Sequence, residues 1–135
     1  MASGIYNRFK ANLFNKEVDL EADTIKVALM DINHSFTATD NIWSDVSANE
    51  ISGGGYTSPG QSLVTNTVTQ AATTAFDADD AEWTSATFST YHAVIYDDSL
   101  TDDDLICSVD FGGEQSVEDA TFKIVWHSDG IITLA

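Results

Sequence analysis

The chain has little positive charge. Five Lys and Arg residues stand against 22 Asp and Glu, a formal charge of -17 over 135 residues. Beyond Arg8, Lys10, Lys16 and Lys26 the one base is Lys123. So anionic a body repels phosphate backbones, which argues against a nucleic-acid partner. Cysteine is nearly missing too. Cys107 is the single one, so no internal disulfide can form. It alternates with Leu105 and Val109 and reads as a small buried hydrophobe. Proline occurs once, at Pro59. No run is long or apolar enough to span a bilayer, so no membrane partner is expected. The first ten residues lack the apolar core of a signal peptide, so synthesis in a cytoplasm is expected.

What is present is β-pattern. Ile25, Val27 and Leu29 alternate with Lys26, Ala28 and Met30, which predicts a strand over Thr24 to Asp31. Ser62 to Gln70, Thr73 to Phe76, Glu82 to Phe88, Thr90 to Tyr96, Leu105 to Phe111 and Thr121 to His127 read as further strands. Ser128-Asp129-Gly130 is a tight-turn signal, and Ile131 to Leu134 is expected to return as a hairpin partner. Ile5, Tyr6, Phe9, Leu13 and Phe14 suit one face of a short helix. Many short strands with turns between them predict an all-β, single-domain β-sandwich or jelly-roll-like fold with a short N-terminal helix. One β domain then fills residues 1–135, with an N-terminal segment (1–20) and a long polar arm (32–60). Loops of that length are often binding loops.

The residues give catalysis little to work with. No two of His34, His92, His127 and Cys107 have zinc spacing. No Gly-x-Ser-x-Gly elbow occurs. Gly53-Gly54-Gly55 is followed by no lysine and is not a phosphate loop. Two acidic clusters, Asp77/Asp79/Asp80/Glu82 and Asp97/Asp98/Asp102/Asp103/Asp104, could supply oxygen ligands to calcium. Neither has the central glycine and closing glutamate of a calcium loop, so solvated turns are the better reading. No metal, cofactor or catalytic residue is expected, and the chain is not read as an enzyme. Trp83 and Trp126 read as core. Trp43, in the polar arm, reads as an interface anchor. With Tyr6, Phe9, Phe14 and Tyr56 it makes the set of candidate contact residues.

An ordered series of blocks resembles a family of small virion proteins of tailed bacteriophages. The blocks are Asp23 to Leu29, Ser44 to Val46, Glu50 to Tyr56, Asp77 to Trp83, Ala86 to Phe88, Ala93 to Tyr96, Asp110 to Gly112, Thr121 to Trp126 and Gly130 to Ile132. The similarity runs from Tyr6 onward. It implies a structural component of the virion, made in the host cytoplasm, and carries over no functional residue. The expected role is a capsid decoration or cement protein. Its partners would be the major capsid protein and neighbouring copies of itself, as a homo-oligomer on the particle. A tail, neck or fibre component is the nearest alternative. A carbohydrate-binding module is the alternative of another class.

Overall fold

A computed structural model describes all residues, 1–135. Two antiparallel sheets and one short helix make up the fold. In chain order the elements are β1 (Gly4–Ile5), α1 (Asn7–Phe14), β2 (Ile25–Met30), β3 (Gln61–Ser62), β4 (Thr67–Thr69), β5 (Thr74–Asp77), β6 (Ala81–Asp97), β7 (Asp104–Ile124) and β8 (Ile132–Leu134). The first sheet has the order β1-β7-β6-β2-β3 and the second the order β4-β5-β8. The all-β expectation with a short N-terminal helix is met.

β2 shows why the sheets stack as they do. Ile25, Val27 and Leu29 enter a cluster of 20 buried residues. That cluster also holds Phe76, Ile131 and Ile132 of the second sheet and its approach, with Phe9 of α1. Ala28 and Met30 point the other way, yet both are fully buried. They join Tyr6, Val46, Val94, Tyr96 and Leu105 in a second cluster. Both faces of the sheet are therefore covered: the second sheet and α1 lie on one, the polar arm on the other.

The long hairpin β6–β7 merges segments that the sequence reads as four strands. Its register runs from Ala81↔Ile124 to Asp97↔Asp104 and is broken between Thr90 and His92. There Thr90 faces Gln115 while His92 faces Asp110, so the chain from Phe111 to Glu114 bulges out. Gly112 sits in that bulge at φ 79°, a left-handed conformation that glycine adopts without steric cost. Turn-like residues here bend a continuous strand rather than ending it. Beyond the bend, an aromatic row of Tyr56, Trp83, Phe88, Phe122 and Phe111 backs the hairpin, with ring centroids 5.2–6.3 Å apart.

Two strand expectations are corrected. Ser62 to Gln70 is not one strand. Thr65 takes φ 57° and the chain changes sheet there, β3 pairing with β2 and β4 with β5. Ile131 to Leu134 does not fold back on the preceding strand. The Ile131 amide donates to the Phe76 carbonyl at 2.8 Å, and β8 completes the second sheet beside β5. Burial decides this: crossing over puts Ile131 and Ile132 into the main core, which a solvent-facing hairpin would not.

Candidate interaction surface

The polar arm, whose length is that of a binding loop, is tied to its own sheet along most of its length. The Ile51 amide donates to the Leu29 carbonyl at 3.0 Å. Isolated bridges join Glu50 to Met30, Ile42 to Asp104 and Gly54 to Thr87. Trp43 stacks on Tyr96 with centroids 4.8 Å apart and planes 18° from parallel. Phe36 packs on Tyr6 at 4.9 Å. The Tyr56 hydroxyl donates to Glu50 Oε2 at 2.6 Å and accepts the Leu29 amide at 3.1 Å. Burial and that carboxylate push the Tyr56 phenol well above its usual pKa. It stays neutral and pins the glycine-rich turn to β2.

The five candidate contact residues therefore divide. Tyr6 and Phe9 are buried inside the fold. Trp43 and Tyr56 are half-buried under the bonds just described. Phe14 is 91% exposed.

Buried polar groups lie beneath the arm. His34 Nε2 is 3.1 Å from Ser108 Oγ, and its ring meets His92 edge-on at 5.1 Å. His92 Nδ1 lies 3.7 Å from Asp110. Burial, and then the neighbouring His92, push the His34 pKa down to about 4. Burial raises the Cys107 thiol to about 12, which fits the packed hydrophobe expected of it. Ser108 and His34 are 2% and 4% exposed, so a substrate has no route to either.

The acidic clusters are built as turns. Asp79 accepts the Thr65 hydroxyl at 2.7 Å, and Asp80 accepts the Trp126 amide at 3.0 Å. Lys123 spans Asp80 and Glu82 at 3.7 and 3.5 Å. Lys26 lies 3.5 Å from Asp98. No three His, Cys, Asp or Glu side chains are placed to hold a metal ion.

Asp97 is 1% exposed. Its Oδ1 accepts the Ser99 amide at 2.9 Å, while Oδ2 is buried without a donor. Burial, and then its contact with Asp23, hold its carboxyl well above the usual carboxylate range. Above that range the unfolded chain has released a proton that the folded chain keeps. The group's stabilisation is thus complete below the ordinary carboxylate pKa and is lost as pH rises. Asp97→Asn keeps the shape, supplies a donor towards Asp23 and removes the titration. It should stabilise the fold by about 1–3 kcal/mol at roughly pH 8 and by little at roughly pH 3.5. Urea denaturation at the two pH values checks this; equal effects at both would refute it.

The apolar feature that remains open lies between α1 and the second sheet. α1 buries Phe9 in the core and turns Asn12 inward, where its amide donates to Asp104 Oδ2 at 2.8 Å. Leu13 and Phe14, at the end of the helix, are left outside. Val68 of β4 and Leu134 of β8 face them and are also exposed, at 41% and 63%. Between these walls runs a groove of about 430 Å³ floored by Phe76 and Ile132, with Lys10 its one charged lining residue. A second hollow shares Leu13, Leu20 and Val68 with it and adds Lys16, Asp19 and Glu21. Sequence reading found the helix side of this surface. It missed Val68 and Leu134, which arrive by strand pairing. The signal was there in Leu134, spaced two residues from Ile132 on a strand.

No protein-family model, no curated protein and no solved structure matches the chain.

Proposed function

We propose that the chain is a structural protein of a tailed-phage virion, acting as a decoration or cement protein on the head shell. The observation that carries the reading is the exposed apolar surface around Phe14, a feature of proteins that bind other proteins. The ordered blocks from Asp23 to Ile132 supply the virion context. The charge of -17 supports a protein rather than a nucleic-acid partner. No helix is long and apolar enough to cross a membrane.

The mechanism is linkage. A protein that binds the assembled shell and not its free subunits stabilises the shell by mass action. The gain is about 2.7 kcal/mol per site at a hundredfold excess over Kd. The major capsid protein and neighbouring copies of the chain are the partners in this scheme.

The test is particle composition and shell melting. Virions should carry the chain at a copy number proportional to the capsid subunits. Adding the purified chain to shells lacking it should raise their melting temperature saturably. A few copies confined to tails would transfer the role to a tail, neck or fibre component. Absence from purified virions would refute the virion reading.

A further inference from the structure

We infer that the Phe14 groove is a self-association surface, through which two copies of the chain pair about a two-fold axis. A two-fold contact requires one patch to complement itself, and this patch carries both halves of such a contact. Phe14 is a projecting aromatic, and beside it lies an apolar hollow of about 430 Å³. Rotation by 180° lets each Phe14 enter the other copy's hollow.

Charge points to the same occupant. At -17, two copies repel over most of their surfaces. Two of the five bases, Lys10 and Lys16, line the groove and the adjoining hollow, while Arg8 is engaged with Asp104 at 3.8 Å. Lys26 and Lys123 are engaged with acids elsewhere. Lys10 and Lys16 are exposed and form no ion pair within the chain, while Asp19 and Glu21 line the adjoining hollow with Lys16. The rim thus holds both signs of charge, so that across a two-fold contact the bases of one copy can face acids of the other. Elsewhere on the surface acids far outnumber bases and offer no such match.

This gives a place to the contact between copies proposed above, but it does not depend on the virion reading, because it is tested on the free protein. Sedimentation equilibrium of the purified chain should show a monomer–dimer equilibrium. Dimerisation should tighten from roughly 0.01 M to roughly 1 M NaCl, as the Debye length falls from about 30 to about 3 Å and long-range repulsion is screened. Phe14→Asp should weaken the dimer by about thirtyfold or more, as expected for a central aromatic anchor. Leu134→Ser, on the opposite wall, should weaken it too. Ile32→Asp adds the same charge at another exposed apolar residue, outside the groove, and should leave the dimer intact; circular dichroism confirms that each variant is folded. A wild-type chain that stays monomeric at every salt concentration overturns the inference. So does a dimer indifferent to both groove variants. A monomer that nonetheless loses shell binding on Phe14→Asp would hand the groove to the capsid protein, refuting self-pairing while sparing the cement reading.

Discussion

Gly60→Ala should cost the fold about 3–5 kcal/mol, a large part of the stability of an ordinary domain. Gly60 has φ 100°, and an added Cβ would stand 2.2 Å from the Val27 carbonyl oxygen and 2.9 Å from Ala28 Cα. The obstacle is backbone, and it cannot retreat. β2 lies between β6 and β3, with Val27 and Ala28 fully buried on opposite faces. Backbone strain of about 1–3 kcal/mol therefore adds to an overpacking cost of similar size. Gly112→Ala is the matched comparison. Its φ is 79°, and nothing lies within 4 Å of an added Cβ. It should cost about 1 kcal/mol, the conformational penalty alone. Chemical denaturation of both variants separates the two contributions. Similar losses would mean that the approach of residue 60 to β2 is not tight in solution.

The same β2 neighbourhood shows what the sequence made legible. Alternation at Ile25, Val27 and Leu29 is a local pattern, and it located the strand and one buried face. It could not reveal that Ala28 and Met30 are buried as well, because the cover on that side is the arm. An arm rich in Ser, Asn and Asp has the composition of a solvated loop. It packs there through a few apolar residues, Trp43 and Val46, and through backbone hydrogen bonds to β2 that composition does not register. For the same reason Trp43 reads as an anchor for a partner, yet Tyr96 is its neighbour in the fold. The groove was half legible. Phe14 follows Leu13 at the end of a helical pattern and is easily assigned to the same face, but the helix ends there and Phe14 is left in solvent. Val68 and Leu134 come from strands of three residues each. Their partners are fixed by long-range pairing, which a local pattern cannot specify.

Acid should weaken the fold through His34. Its pKa is 6.5 in an ordinary setting and about 4 in the fold. Burial dominates this shift, with the neighbouring His92 adding to it and Asp31 opposing it. Between these values the unfolded chain binds a proton that the folded chain refuses. Stability from this group is therefore complete above about pH 6.5 and is lost progressively as pH falls to about 4, some 3 kcal/mol in all. The ring is 4% exposed and sits between Ser108 and His92, so solvent screens little of that cost. Carboxylates titrate nearby in pH, and neutralising part of a -17 charge relieves self-repulsion. The wild-type profile alone would mix these effects. His34→Gln isolates the contribution, because it keeps a polar group facing Ser108 and removes the titration. The difference in unfolding free energy between wild type and His34→Gln should be nearly constant above about pH 7. It should then shift in favour of the variant by about 3 kcal/mol on going down to about pH 4. Urea denaturation in closely spaced pH steps measures it. Parallel profiles across that window would show that the folded imidazole protonates as freely as the unfolded one. The arm around His34 would then have to open to water, and its contacts with β2 could not be as tight as described.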